Sequence, residues 1–277
     1  MTDQDSCSHD CGSCGSACPS NQGPKSFLKP ANKHSKIKKV IGVISGKGGV
    51  GKSLVTSLLA VAMQERGRQA AILDADITGP SIPHIFGVEK NAEVLHQEII
   101  PALTDNKIKV ISINLLLADH TDPVVWRGPM IGGAVEQFWT DVCWGDVDYM
   151  FVDMPPGTGD VAQTVFQSLP LDGIIVVTSP QDLVGMIVEK AVKMAEMVHI
   201  PVLGLVENMA YFTCPSCGEK HAIFGESQVK ALSEAYNIPL IAQIPINPAL
   251  VQACDQGKIT DIEGDWLAEL VAGLEKI

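Results

Sequence analysis

GKGGVGKS, residues 46–53, lies between the apolar run VIGVIS (40–45) and the segment LVTSLLAVAM (54–63). A strand, a glycine-rich GxxxxGKS turn and a helix form the setting in which backbone N–H groups wrap around a phosphate. We expect Lys52 to reach the β- and γ-phosphates of a nucleotide and the Ser53 hydroxyl to coordinate Mg²⁺. The phosphate-binding residues predicted here are Gly46, Lys47, Gly48, Gly49, Val50, Gly51, Lys52 and Ser53.

Short apolar runs alternate with segments of helical spacing from residue 40 onwards. This alternation is typical of βαβ units. Because the runs are apolar on both sides, we predict a mostly parallel, twisted sheet with helices on both faces. The predicted strands span residues 40–45, 70–74, 108–114, 149–154, 173–179, 202–208 and 240–244. The predicted helices span residues 52–66, 130–142, 159–168, 182–198, 225–236 and 264–276. An antiparallel hairpin is predicted over residues 92–103.

Composition and charge limit the classes of protein to consider. The chain has 277 residues and a net charge of −12, which argues against a nucleic-acid-binding protein. It begins without a basic or apolar leader and contains no apolar run of the ~18 residues that a membrane helix needs. We therefore predict a cytoplasmic protein without membrane contact. Residues 1–37 are expected to form a flexible, cysteine-rich metal-binding tail and linker, and residues 38–277 one P-loop domain.

Carboxylates follow two of the predicted strands, at the sheet edge where ligands of open α/β sheets bind. Asp153 ends the strand before PPGTGD and is expected to hold the water shell of Mg²⁺. Gly157 is placed to offer its N–H to a γ-phosphate. Asp74 and Asp76 end another strand, in ILDADITGPSIP (72–83). One of these two, with Asp76 favoured, is predicted to orient or deprotonate the attacking water.

Two cysteines form a CPSCG motif in the loop after the strand at residues 202–208. Cys214 and Cys217 can bind a metal from one side, but Zn²⁺ or a [4Fe-4S] cluster generally takes four protein ligands. One chain therefore offers half a site, which a two-fold dimer would complete. The motif by itself also fits a zinc knuckle. A redox-active cysteine pair is a third interpretation.

The N-terminal group has the spacing CxxxCxxCxxxC and consists of Cys7, Cys11, Cys14 and Cys18. Four thiolates within this short stretch can satisfy one cubane cluster, and the CxxCxxxCP part is similar to bacterial ferredoxin ligation. Zinc is the alternative ligand, since it also prefers thiolates. We expect a second [4Fe-4S] cluster or Zn²⁺ there.

Together these motifs resemble the deviant Walker A group of ATPases, and specifically the Mrp family of iron-sulfur cluster carriers. The motif GKGGVGKS, with its extra lysine, is the basis of the resemblance to the deviant Walker A group. The resemblance to the Mrp family rests on LDADITGPSIP, WRGPM (126–130), DMPPGTGD, ENMAYFTCPSCG (207–218) and IFG (223–225), across about residues 38–255.

The resemblance implies a homodimeric ATP hydrolase that holds a [4Fe-4S] cluster between its subunits and passes it from a scaffold protein to apo-proteins. Lys47 matches the lysine that, in this group, crosses to the nucleotide of the other subunit. Asn208 matches a position that contacts adenine. Two relatives of the same group supply alternatives: a MinD/ParA-like positioning ATPase with zinc at the CxxC motif, and an electron-transfer ATPase like the nitrogenase iron protein.

Overall fold

The computed structural model describes residues 27–89, 91–95, 98–117, 128–157, 159–180 and 184–277. Its strands are β1 (Ser35–Ser45), β2 (Ala70–Asp74), β3 (Glu93–Leu95), β4 (Glu98–Ile100), β5 (Ala102–Leu103), β6 (Lys109–Ile111), β7 (Gly145–Asp153), β8 (Gly173–Thr178), β9 (Val202–Asn208), β10 (Phe212–Thr213), β11 (Lys220–His221) and β12 (Leu240–Ile244). Its α-helices are α1 (Lys52–Glu65), α2 (Ile82–Ile85), α3 (Gly128–Thr140), α4 (Asp160–Ser168), α5 (Val184–Met197), α6 (Val229–Tyr236), α7 (Pro248–Asp255) and α8 (Ala268–Leu274).

One eight-stranded sheet forms the centre of the described chain, in the order β12-β9-β8-β1-β7-β2-β6-β5. Its neighbouring strands run parallel, except that β5 is antiparallel to β6. The carboxyl ends of β1, β2, β7, β8 and β9 consequently meet at one edge. The predicted parallel α/β sheet is confirmed.

Helices cover both faces of the sheet, as predicted. On β1, Val43 packs into the layer that contains α1, α7 and α8, while Ile44 packs into the opposite layer with α3, α4 and α5. Successive side chains of a strand point to opposite faces, so an apolar run buries both sides at once. The carboxyl edge of the sheet therefore lies between two buried apolar layers, one on each face.

Several elements differ from the predicted ones. The predicted strand at 108–114 is reduced to β6, because the Ser112 hydroxyl bonds to Asp74 and the chain then turns into a 3₁₀-helix at Ile113–Leu115. Helix α6 begins at Val229 rather than residue 225, after a Ser227 hydroxyl that accepts the Val229 N–H. The predicted hairpin at 92–103 is confirmed in β3 and β4, which pair antiparallel.

Helices α2 and α7 were missed by the sequence reasoning. Helix α7 carries a clear start signal, because the Asn247 side chain accepts the Ala249 N–H (3.0 Å) and Pro248 occupies the first turn. Asn at the N-cap followed by Pro is a known helix beginning. Helix α2, four residues long, is too short for periodicity to reveal.

The segment before β1 is already part of the packed domain. The Lys29 N–H donates to the Ser168 carbonyl (2.8 Å), and Trp139 Nε1 donates to the Lys29 carbonyl (2.9 Å). Strand β1 begins at Ser35, so the proposed boundary between residues 37 and 38 falls inside a strand. The tail itself, residues 1–26, lies outside the described residues.

Candidate nucleotide site and cysteine loop

The glycine-rich loop joins β1 to α1 and has the backbone that its glycines permit. Gly49 and Gly51 have φ angles of 80° and 85°, a region that favours glycine. Gly51 is the N-cap of α1 and has no side chain to cap it. The first N–H groups of α1 are therefore left to an outside acceptor, as at phosphate-binding helix starts.

Lys52 is buried at the start of α1 between two carboxylates. Its Nζ lies 2.8 Å from Asp153 Oδ1 and 3.6 Å from Asp76 Oδ2. A buried ammonium at the start of a helix, directly after a glycine-rich loop, fits an anionic ligand such as a phosphate.

Asp153 is the most connected carboxylate of the site. Its Oδ2 accepts the Ser53 hydroxyl (2.6 Å), and its Oδ1 accepts the Thr56 hydroxyl (2.9 Å). The Thr56 hydroxyl also bonds to the Lys52 carbonyl one turn earlier (3.0 Å). Ser53 and Asp153, paired in the sequence analysis as Mg²⁺ ligands, are thus brought into contact.

Asp74 and Asp76 occupy different positions although they are two residues apart. The Asp74 side chain is fully buried, where it accepts the Asp76 N–H (3.2 Å) and the Ser112 hydroxyl (3.0 Å). Asp76 lies at the loop beside Lys52 and retains 8% exposure. The geometry makes Asp76 the carboxylate that can reach a ligand and Asp74 the group that holds the turn.

These carboxyls have pKa values above the ordinary range. Burial and then the negative charge of Asp153 raise the pKa of Asp74 well above its usual value, against the opposing effect of Lys52. Burial also raises the pKa of Asp76, and the neighbouring Lys52 partly opposes that shift. Three carboxyls thus lie around one buried ammonium.

Asn208 connects this loop to a neighbouring cavity. Its Nδ2 donates to the Val50 carbonyl (2.9 Å). The same side chain lines a cavity of about 460 Å³ together with Leu54, Pro245 and Val251. The cavity adjoins the start of α1 at Leu54.

Lys47 and Gly157 were also predicted to contact the nucleotide. Lys47 lies on the exposed side of the loop. Gly157 has a φ of 84°, and its N–H donates to the Ser45 carbonyl (2.8 Å). That N–H, predicted to meet a γ-phosphate, is therefore already used by a backbone acceptor in the structure.

The two cysteines of the CPSCG motif lie on the small hairpin of β10 and β11. The Cys214 N–H donates to the Glu219 carbonyl (2.9 Å), and the Gly218 N–H donates to the Cys214 carbonyl (2.8 Å). Backbone N–H groups of Cys217 and then Ser216 bond to the Cys214 sulfur and lower the pKa of this thiol. Cys217 is exposed and Cys214 partly so. The loop presents two sulfurs, one of them favoured as thiolate, toward solvent.

Among the described residues no three His, Cys, Asp or Glu side chains gather in a metal-binding group. The two sulfurs of the hairpin are therefore not joined by a third ligand from that part of the chain. Cys7, Cys11, Cys14 and Cys18 lie outside the described residues. In the same ranges no helix is both long and apolar enough to cross a bilayer.

Sequence reasoning missed several residues that shape the site. Thr56 lies one helical turn after Lys52, a spacing that could have identified it. Ser112 carries no comparable signal, because its contact with Asp74 depends on strands that neighbour each other only in the folded sheet.

A family model described as NUBPL iron-transfer P-loop NTPase, of the ParA group, matches residues 36–271. An iron-sulfur cluster carrier protein of Clostridium perfringens is 44% identical over 255 residues, which are 89% of this chain and 87% of that protein. One from Methanocaldococcus jannaschii is 44% identical over 225 residues, with 80% and 78% covered.

A solved nucleotide-binding protein of Archaeoglobus fulgidus, in complex with ADP, is similar in both sequence and fold. It is 45% identical, with 83% of this chain and 91% of that chain covered and a TM-score of 0.76. The MinD cell division ATPase of Pyrococcus furiosus is 21% identical, with 86% and 98% covered and a TM-score of 0.59, and it shares the fold.

Proposed function

This chain belongs to the NUBPL iron-transfer family of P-loop NTPases, and from that premise we propose that it is an ATP-dependent iron-sulfur cluster carrier. In this proposal two copies hold one [4Fe-4S] cluster between them and transfer it to apo-proteins. ATP binding and hydrolysis control the state of the dimer. The carrier proteins of Clostridium perfringens and Methanocaldococcus jannaschii, similar along most of their length, support this assignment.

The observation that carries the proposal is the pair of sulfurs at Cys214 and Cys217. Two thiols on one outward-facing hairpin supply half of the four ligands that a cubane takes. A second copy related by a two-fold axis supplies the other half, since the same patch meets itself across such an axis. A cluster held at the surface of two subunits is accessible to an acceptor protein, which suits a cargo.

The nucleotide chemistry is proposed for the residues at the carboxyl edge of the sheet. Lys52 would exchange its carboxylate partners for the β- and γ-phosphates of ATP, and the N–H groups of the loop would bind the same oxygens. Asn208 and the cavity beside it would receive adenine. Gly157 would meet the γ-phosphate once its N–H leaves the Ser45 carbonyl.

Ser53 and Asp153 fit a Mg²⁺ site, because a hydroxyl and a carboxylate in direct contact are the oxygen donors that this ion prefers. When bound, Mg²⁺ would neutralise charge on the phosphates. Asp76 would orient the attacking water, with Asp74 holding its backbone. Lys47 would cross to the nucleotide of the partner subunit, so that charge stabilisation depends on dimer closure.

Further features remain part of the proposal. The N-terminal cysteines would hold a second [4Fe-4S] cluster or Zn²⁺, in a tail ahead of the P-loop domain. A scaffold protein would load the carrier, apo iron-sulfur proteins would receive the cluster, and neither nucleic acid nor a membrane would take part. The protein would act in the cytoplasm.

Anaerobic reconstitution with iron and sulfide tests the proposal. We expect a brown protein that sediments as a dimer, absorbs broadly near about 400 nm as iron-thiolate clusters do, and activates an apo-enzyme that requires a [4Fe-4S] cluster. A colourless, zinc-containing protein would contradict it. A cluster that cycles between redox states but never leaves for the acceptor would favour electron transfer instead, and ATP-dependent sedimentation with vesicles would favour a positioning ATPase.

A further inference from the structure

The last two residues of β9, Glu207 and Asn208, contact different parts of the molecule. Asn208 Nδ2 donates to the Val50 carbonyl of the phosphate-binding loop (2.9 Å). Glu207 Oε2 accepts Nε2 of Gln243 on the neighbouring strand β12 (2.8 Å). Adjacent side chains of a strand point to opposite faces of the sheet. A single peptide unit therefore separates the phosphate loop on one face from a polar network on the other.

That network ends at Ser227, between the cysteine hairpin of β10 and β11 and the start of α6. Gln243 Nε2 also lies 3.0 Å from the Ser227 hydroxyl, which accepts the Val229 N–H at the start of α6. Ser227 is the point where the chain coming from Cys214 and Cys217 rejoins the domain. Glu207, Gln243 and Ser227 therefore fix one end of the cysteine-bearing segment to β9.

Glu207 is buried beside the same segment. Its side chain is fully buried, and among the described residues its Oε1 has no hydrogen-bond partner. Glu207 lines a cavity of about 150 Å³ together with Phe224, Gly225 and Gln228. Gly225 has a φ of 97° and open space where a Cβ would lie, so the backbone can turn there. If residues 224–228 moved to a second position, a donor from this segment could bond to Glu207 Oε1.

We propose that Glu207 is a positioning residue that links the state of the phosphate loop to the position of the cysteine hairpin. This inference rests on the proposed function, since it supplies the route by which nucleotide would alter cluster holding. A ligand in the loop displaces the Val50 carbonyl or Asn208 and moves the end of β9. Glu207 then shifts relative to Gln243 and Ser227, and the segment that joins the hairpin to α6 moves with them.

Gln243→Ala tests the link at a side chain that is itself exposed, on the edge strand β12. Ile241→Ala is the matched control, since Ile241 is exposed on the same face of the same strand and makes no part of the network. Gln243→Glu keeps the side-chain volume but removes the amide donor. Each reduced, metal-free protein is treated with iodoacetamide, with and without Mg-ADP or a non-hydrolysable ATP analogue. Peptide mass spectrometry measures the alkylation rate of Cys217.

We expect nucleotide to change the alkylation rate of Cys217 about fivefold in the parent and in Ile241→Ala, as for a typical coupling between sites. In Gln243→Ala and Gln243→Glu the change should disappear while the Kd for nucleotide stays the same. A nucleotide response of parental size in both Gln243 variants would overturn the inference, as would a parent without any response.

Failure of the underlying function is measured separately on the parent protein. If the parent neither takes up a cluster nor binds nucleotide, the proposed function fails. If it does both, and the Gln243 variants transmit the nucleotide signal as well as the parent, only the role of Glu207 fails.

Discussion

The ammonium of Lys52 lies 2.8 Å from Asp153 Oδ1, the same carboxylate that accepts the hydroxyls of Ser53 and Thr56. The lysine proposed to bind phosphate is thus neutralised by the carboxylate proposed to lie near Mg²⁺. Phosphate and Mg²⁺ would separate this pair by giving each charge a new partner. These ion pairs join the charges that a nucleotide complex would redistribute.

Lys52→Ala should therefore lose nucleotide affinity and also destabilise the unliganded fold. Removing one partner of a buried ion pair leaves the carboxylate of Asp153 uncompensated, which typically costs about 3–5 kcal/mol. Isothermal titration with Mg-ADP measures the first effect, and urea unfolding at neutral pH the second. Circular dichroism must show a folded variant at the titration temperature. Retained affinity in that folded variant would contradict the role given to Lys52.

Lys47→Ala should behave differently, because Lys47 lies on the exposed side of the loop. We expect it to bind ATP with nearly parental affinity but to hydrolyse it about 10²-fold more slowly, the usual size of a lost charge-stabilising group. Steady-state ATPase assays at saturating ATP give the rate. Parental turnover would mean that no lysine needs to cross between subunits.

Most of the sheet could be predicted from sequence because its strands are continuous apolar runs bounded by turns. Strands β2, β9 and β12 have the predicted bounds. Strand β6 was predicted too long, since nothing local shows that the Ser112 hydroxyl would bond to Asp74.

At the candidate site, too, local motifs could be predicted from sequence and contacts between distant strands could not. GKGGVGKS predicts its own backbone, because its glycines are needed at left-handed angles such as those of Gly49 and Gly51. Contacts between distant strands leave no sequence pattern, so the pairing of Glu207 with Gln243 could be found only in the structure.

Asp74→Asn should stabilise the unliganded protein, and the gain should grow with pH. A raised carboxyl pKa means that the folded chain binds the proton more tightly than the unfolded chain, whose Asp titrates near about 3.9. Since the unfolded chain loses this proton first, the free energy of unfolding falls as pH rises from that value to the folded pKa, by about 1.4 kcal/mol for each unit of pKa elevation. Urea unfolding of both proteins at about pH 5 and pH 8 spans part of this window. A difference in free energy of unfolding that is the same at both pH values would show that the carboxyl charge is not responsible.

Cys214→Ser and Cys217→Ser should each abolish the shared cluster while leaving any metal bound by the N-terminal cysteines. Serine does not replace a thiolate in a stable cubane, and loss of one sulfur per chain removes two of the four ligands. Iron and sulfide analysis after anaerobic reconstitution should show a loss of half a cluster per chain. Cys254→Ser, which changes a partly buried lone thiol, is the control. Equal iron content in the Cys214 variant and the parent would place the cluster elsewhere.

Gly51→Ala should disable the phosphate loop through its backbone, because Gly51 has a φ of 85°. An alanine there costs about 1–2 kcal/mol for the left-handed conformation alone. Its Cβ would also lie 2.2 Å from Asn208 Nδ2, so Asn208 has to leave the Val50 carbonyl. We expect lower stability in urea and a large loss of Mg-ADP affinity by isothermal titration. Gly48→Ala is the control for stability, since a Cβ there meets no atom within 4 Å and Gly48 has no positive φ. If the two variants unfold at the same urea concentration, the left-handed turn at Gly51 is not what shapes this loop.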